Sequence, residues 1–594
     1  MGIKGLTKFI NENYKWRAAN WKWKNLIIDG HNICCQLYNN ILSCDFGGEY
    51  DQFEQIIEKF LKEIQQQHCE PIVVFHGVKI ENRINKVRER RLRSFKEMKN
   101  VQTRDIRSGD IRSTGEVKPL MIKSVCMDVL RRLDIEFYVA SGEPHKFIAA
   151  LANHKECPVL SSDSDYFIFD LNHGLIHSVR YFERKEPLFI RKQFMKQFSL
   201  KNDQILIIPG EFGTNMFFNK SSFDKLIKAY DTFRKYYEKQ EVAVDVYEDI
   251  RRFYCDLKVP FGISDGSGPV GYHFDDLPVW IIRKYREGCF PPFLVMAFNT
   301  KYYLLPTMVE VITKDSAWLI SREIRQYLYG LLGLPAVKEI IRESKVPELT
   351  EESVLPKFQQ PARSIVSPHE NERQLIVESV LVPHEISSSE DFKQLDAKWK
   401  LPIAATSYWY RHLDVPMPLV KSLVLSFFTC SKVIPRPDNT DLRLGSNCLR
   451  ALHAFAKWQC VYHDATALNY VAREPFPTTS FASLYSGEVA MYYALSQSVD
   501  GAFDAGSDEW KLYKKLLELV TVKGQIITSS HGVRYPQQGD IQQKLDRSKQ
   551  TLQGSGDLQT QCELNKCLRD YTFGSQNCPP SLPSKPWGLC SHVP

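Results

Sequence analysis

The chain predicts an α/β fold with a mainly parallel sheet, followed by α-helical regions and a disordered tail. Three observations carry that expectation. Between residues 25 and 170, short apolar runs alternate with longer amphipathic segments, the pattern of repeated βα units. Each run ends in, or is soon followed by, a polar side chain. Beyond residue 216 the apolar spacing becomes helical, as in DKLIKAYDTFRKYYEKQ (224–240) and SREIRQYLYGLLG (321–333).

The expected strands are NLIIDG (25–30), PIVVFHG (71–77), IEFYVA (135–140) and PVLSSDSD (158–165). In open parallel sheets the binding crevice lies at the carboxyl ends of the strands, so Asp29, His76, Glu143, Asp163 and Asp165 are expected to converge there. Within VLSSDSDYFIFD (159–170), Asp163 and Asp165 stand two apart and would share one side of a strand. Carboxylates that close repel. A divalent cation would hold them there, and a helix N-cap is the plainer alternative.

Further along, 216–344 is expected to be helical, 345–371 is a polar, Pro- and Glu-containing linker, and 372–521 is a second helical region. Residues 522–594, rich in Gln, Ser, Gly and Pro, are expected to form the disordered tail. The aromatic side chains of SYWYRH (407–412) could stack on bases, although at helical spacing in an apolar block they fit a core better.

With 594 residues, 43% of them hydrophobic, the chain can bury a sizeable core. It contains no apolar stretch of bilayer-spanning length, and MGIKGLTKFINENYKWRAAN lacks the apolar centre of a secretory signal. A soluble intracellular protein with no membrane partner is expected. Fifteen cysteines form no CxxC pair and no zinc-finger spacing, which argues for reduced thiols. The net charge of +7 is modest, and the placement of the cations says more. In ENRINKVRERRLRSFKEMKNVQTRDIRSGDIR (81–112), Arg83, Lys86 and Arg90 fall on one helix face. Phosphate is the natural partner for such a stripe, and a solvated charged face is the alternative.

Several strings together carry a resemblance. MGIKGL, NLIIDG, the strand at 71–77, GEPHKFIAALANHKECPVLSSDSDYFIFDL and IIPGEFGTN resemble the XPG-type 5'-nucleases of the flap-endonuclease superfamily, which have a PIN-like fold. More narrowly, FGGEYDQF (46–53), IRQYLYGLLG, KLPIAATSYWYRH (400–412) and SLYSG (483–487) resemble the Asteroid family. The resemblance implies a PIN-like nuclease domain over 1–215, comprising N and I regions, and a helical Asteroid region over 372–521. It also implies a metal-dependent endonuclease of DNA repair, acting in the nucleus on single-stranded or branched DNA with Mg²⁺ or Mn²⁺.

By motif position, the family's metal-site acids fall on Asp29, His76, Glu143, His145, Asp163, Asp165 and Asn215. His76, His145 and Asn215 are not acids. Asp29, Glu143, Asp163 and Asp165 would hold the first ion, while the second site is altered, since imidazole suits transition metals better than magnesium. Arg83 and Arg90, seven apart, correspond to the pair that grips the scissile phosphate. Lys86 joins them, and the backbone at Gly2 matches a start that approaches substrate closely. The glycine-rich hairpin with which duplex-tracking relatives grip DNA is missing from MFFNKSSFDKLIKAYDTF (216–233). A catalytically silent nucleic-acid-binding or scaffold protein in repair or signalling is the rival expectation.

Overall fold

The computed structural model describes residues 5–19, 21–77, 84–103, 117–140, 144–200, 205, 251–257, 279–357, 370–413, 415–437, 446–496, 502–504 and 506–522. Gly2, Arg83, Glu143, Asn215, the helix expected over 224–240 and the tail from 523 onward lie outside the described residues, as does the side chain of Lys86.

Helix α1 (Leu6–Asn13) precedes strand β1 (Asn25–Asp29). Then come α2 (Gly30–Ile41), α3 (Tyr50–Gln65), β2 (Glu70–Phe75), α4 (Ile84–Thr103), α5 (Ile122–Arg132), β3 (Phe137–Val139), α6 (His145–His154), β4 (Val159–Ser161), β5 (Leu175–His177) and β6 (Leu188–Phe189). The six strands form one sheet in the order β3-β2-β1-β4-β5-β6. All pairs are parallel except β5 with β6. This is the α/β fold that the sequence predicts, and its strand order reverses direction between β1 and β4, where ligand crevices form.

Alternation along each strand places helices on both faces. Leu26, Ile28, Val73 and Phe75 pack with α2, α3 and α5, whereas Ile27, Ile72, Val74 and Val159 pack with α1 and α6. A strand buried on both sides must be apolar throughout, and NLII and PIVVF are.

The expectation of helix over 216–344 and linker over 345–371 needs correction. Strands β7 (Tyr302–Leu304), β8 (Val337–Arg342) and β9 (Leu349–Val354) form a second sheet, with β7 and β8 parallel and β8 and β9 antiparallel. LTEESV reads as linker because it is polar, yet an edge strand is held through its backbone and tolerates charged side chains. Helix α4 docks on this sheet: the Arg91 guanidinium donates to the carbonyl of Leu304 at 3.0 Å and to that of Leu305. Arg88 pairs with Glu351, and Gln102 Nε2 donates to the Glu310 carbonyl at 2.8 Å. Two cations of the basic run are thus internal anchors, while Arg90 and Lys96 are exposed.

The later helices Ala397–His412, Met417–Cys430, Ser446–Val471, Gly487–Ser496 and Asp508–Thr521 share one apolar core with the α/β sheet. Residues Met1–Gly524 form one compact unit rather than a string of separate domains. Tyr408 and Trp409 are buried in it, so SYWYRH is core. FGGEYDQF and SLYSG meet each other: the Gly487 N–H donates to the Gly48 carbonyl at 2.8 Å, and Glu49 accepts from the Ser486 hydroxyl and from the Glu488 N–H. A Cβ at Gly487 would stand 2.2 Å from the Phe46 carbonyl oxygen, so this close approach requires glycine. Arg325, wholly buried, pairs with Glu339 of β8 at 2.6 Å and with Asp464 at 2.9 Å. Among the described residues no helix is long and apolar enough to cross a membrane, and no cysteine is disulfide-bonded.

His177, at the end of β5, is 2% exposed and packs between Trp16 and Phe167 with neither ring nitrogen hydrogen-bonded. Burial, assisted by Arg180, pushes its pKa down to about 4. The native state therefore binds this proton less readily than the unfolded chain, whose histidine titrates near 6.5. Stability contributed by the neutral imidazole is present above pH ~6.5 and is lost as pH falls toward ~4. His177→Phe is expected to abolish about 2 kcal/mol of the stability difference between pH 7.5 and pH 5, measured by urea unfolding.

Candidate functional site

Asp29 ends β1 two residues beyond Ile27, so its side chain falls on the face covered by α6. It is 1% exposed. One carboxylate oxygen accepts from the Asn32 N–H at 3.2 Å, capping α2, and the other accepts from the Ser161 hydroxyl at 3.1 Å. Burial raises its pKa, and the charge of His145 and the Asn32 N–H oppose that rise. A Cβ at Gly30 would stand 2.7 Å from Val73 Cγ1, so α2 can turn off the strand over β2 only with glycine after the aspartate.

His76 follows β2 and, two residues past Val74, faces the same way. Its Nε2 lies 3.9 Å from Asp29 Oδ1, and its ring packs against those of His31 at 5.1 Å and His145 at 5.6 Å. Removal from water, together with nearby His31, His145 and Lys123, holds its pKa well below the usual range, so the ring is neutral at pH 7. The Lys123 ammonium donates to the His76 carbonyl at 2.7 Å.

His145 is the first residue of α6 and is buried, with Nε2 3.3 Å from Asp163 Oδ2. Burial works against its charge, but the Asp163 carboxylate, backed by Asp29 and Asp165, raises its pKa. Asp163 is held below the usual carboxylate range by the same bond, against the effect of burial.

The chain has left the sheet at Ser161, so Asp163 and Asp165 do not project from a strand as alternation predicts. Asp163 instead caps the short helical turn Ser164–Phe167, with Oδ1 accepting from the Asp165 N–H at 3.1 Å. The capping role and the convergence of carboxylates both hold, because only one oxygen of Asp163 is used by the cap.

Five of the expected positions therefore meet: Asp29, His76 and His145 each place one ligand atom within 4.8 Å of the others, and so do His145, Asp163 and Asp165. Three carboxylates and two imidazoles at that spacing could hold a divalent metal. Glu143 and Asn215 lie outside the described residues, and Arg90 is exposed on α4.

Sequence patterns did not single out the residues that brace this centre. Ser161 donates to Asp29 and accepts from the Asp163 N–H at 3.1 Å, joining the two acids. Asn32 Nδ2 donates to Ser162 Oγ at 2.9 Å, the Ser162 N–H donates back to Asn32 Oδ1 at 3.0 Å, and Gln36 Nε2 reaches the same hydroxyl at 3.0 Å. These bonds stitch α2 to the exit of β4. The available signal was the pair of serines that opens SSDSD.

Known proteins extend the resemblance. A sequence model of the Asteroid N-terminal domain matches residues 437–525. The mouse (Mus musculus) protein named single-strand DNA endonuclease ASTE1 is 24% identical over 621 residues, which span 87% of this chain and 90% of that protein. Protein asteroid of Drosophila melanogaster is 28% identical over 185 residues, 30% of this chain and 20% of that one. Among solved structures, human GEN1 in complex with Holliday junction DNA is 16% identical and covers 50% of this chain and 75% of its own, at a TM-score of 0.29. The likeness to the Asteroid proteins read from the motifs is borne out.

His145 should titrate above the ordinary 6.5 of histidine in the native protein. Asp163→Asn should bring it down, because burial then acts with less opposition. NMR titration of the imidazole C–H resonances, assigned with His145→Gln, checks both outcomes.

Proposed function

We propose that this Asteroid-like chain is a divalent-metal-dependent endonuclease that cuts single-stranded or branched DNA in the nucleus. The observation that carries it is the meeting of Asp29, His76, His145, Asp163 and Asp165 at the ends of β1, β2 and β4 and the head of α6. The name of the mouse relative, similar over most of both chains, supports DNA as the substrate and a single strand as its form.

In this proposal Asp29, His76 and His145, with Asp163 and Asp165 beside them, would hold divalent metal, which when bound would polarise the phosphodiester as a Lewis acid. The remaining work falls to the chain. Ser161 and the Asn32 N–H fix the two oxygens of Asp29, and the cap fixes Asp163, so the ligands are oriented before anything binds. Arg90, exposed on α4, supplies a phosphate contact that positions the strand without reading its sequence. Arg83 and Lys86 are assigned to the same stripe. The anchoring of α4 through Arg88 and Arg91 holds that helix against the second sheet.

One observation favours a silent binding or scaffold protein: the His145–Asp163 hydrogen bond satisfies both groups without any ion. An end-labelled DNA with a single-stranded overhang separates the two possibilities. Cleavage that requires added Mg²⁺, Mn²⁺ or Zn²⁺ is expected, falling roughly a hundredfold in the Asp163→Ala/Asp165→Ala variant, since two carboxylates beside the metal set are lost and each outer partner is worth about tenfold or more. No variant-sensitive cleavage with any of these ions would overturn the enzyme and leave the binding protein. Imaging of a fluorescent fusion tests the nuclear assignment, which a purely cytoplasmic signal would remove.

A further inference from the structure

The ligands at the centre form two overlapping sets, Asp29 with His76 and His145, and His145 with Asp163 and Asp165. We propose that the centre takes one transition-metal ion of the zinc type, on Asp29, His76 and His145 with a fourth position left open, in preference to a pair of magnesium ions. This deepens the nuclease assignment and rests on it for the presence of a metal.

The shared residue decides the number. A carboxylate has two oxygens and can bridge neighbouring ions, but a neutral imidazole has one lone-pair nitrogen and serves one ion. The two sets therefore cannot both be filled through His145. One ion on Asp29, His76 and His145 uses it once.

The donor chemistry decides the kind. Mg²⁺ demands oxygen ligands in near-octahedral geometry and keeps several waters. Two imidazoles in the innermost set suit zinc, copper, iron or nickel instead. Both rings project from fixed points, His76 directly after β2 and His145 at the head of α6, with their centroids 5.6 Å apart and nearly perpendicular at 88°. His145 is 4% exposed and Asp29 1%, so a strongly hydrated ion would have to shed most of its water there.

Spacing points the same way. Zinc bonds of about 2.0–2.1 Å in a tetrahedron place neighbouring ligand atoms roughly 3.3 Å apart. Asp29 Oδ1 and His76 Nε2 are 3.9 Å apart and the ligand atom of His145 lies within 4.8 Å of both, gaps that modest side-chain adjustments close. The carboxylate is also braced from outside, Asp29 being held by the Ser161 hydroxyl and the Asn32 N–H. Outer partners of that kind tune affinity for a metal and orient its ligands.

The test uses the untagged full chain, stripped with chelator and desalted, with no DNA present. Incubation with Zn²⁺, Mn²⁺ or Mg²⁺, gel filtration and elemental analysis are expected to show one retained zinc per chain, not displaced by millimolar Mg²⁺. Substitution with Co²⁺ should give the visible absorption of a four-coordinate ion. The His76→Asp/His145→Asp variant, with folding checked by circular dichroism, should retain zinc roughly tenfold less tightly or worse. His76→Gln serves as the milder second variant. Two retained ions, displacement of zinc by Mg²⁺, or undiminished zinc binding in folded His76→Asp/His145→Asp protein would each overturn the proposal. DNA cleavage by the Mg²⁺-loaded enzyme alone would also sink the ion assignment while sparing the nuclease. One bound zinc without any cleavage would uphold the ion and sink the nuclease.

Discussion

A carboxylate that is 1% exposed can persist only where donors reach it, and Asp29 depends on three elements for them. The first turn of α2 supplies an N–H, β4 supplies the Ser161 hydroxyl, and α6 brings His145, whose charge favours the ionised acid. Remove any of these and less stands against the cost of desolvation. The strand order makes the arrangement possible, since β1 lies between β2 and β4 with all three ending in the same direction. The candidate site is in that sense the solution to a burial problem set by the sheet.

The rest of the chain holds this arrangement from a distance. The turn at Phe46–Glu49 leads into α3, which packs on the back of the sheet, and the same turn is clasped by Tyr485, Ser486 and Gly487 more than four hundred residues later. Arg325, buried with Glu339 and Asp464, joins the second sheet to the helix Ser446–Val471. A buried ion pair of this kind contributes little net stability, yet losing one partner would strand the others. It therefore fixes how the two parts fit more than how strongly they hold. Helix α4, with its exposed cations, is attached to this second sheet by Arg88 and Arg91. The basic run is divided by its packing into anchors and exposed charge.

The histidines change the centre's chemistry more than its shape. His76 and His145 occupy positions where carboxylates would converge, and they keep the convergence while removing negative charge. They also settle into opposite states, His76 held neutral by burial and neighbouring cations, His145 drawn toward its charged form by Asp163. The charge drawn onto His145 lowers the repulsion among the three aspartates, and a metal on that ring would take its place. The two rings also replace hard oxygen donors with nitrogen, which shifts the preference toward transition metals.

Local pattern alone determined a good deal. Four apolar runs with a polar residue at their ends specified the strands, because a parallel strand buried on both faces has no other composition available to it. The rule for parallel sheets then placed Asp29, His76 and Asp163 at one end of the sheet, and the strings shared with XPG-type 5'-nucleases supplied His145. What local pattern could not supply was anything depending on which backbone lies opposite. LTEESV is a strand only because β8 offers it an edge; Arg91 is an anchor only because the carbonyls of Leu304 and Leu305 face it. The cap at Asp163, the hydroxyl of Ser161 on Asp29 and the meeting of FGGEYDQF with SLYSG are likewise distances, set when the sheet closes and the later helices pack against it. Sequence spacing encodes periodicity along one element, whereas a hydrogen bond between elements exists only once the tertiary fold has fixed their separation.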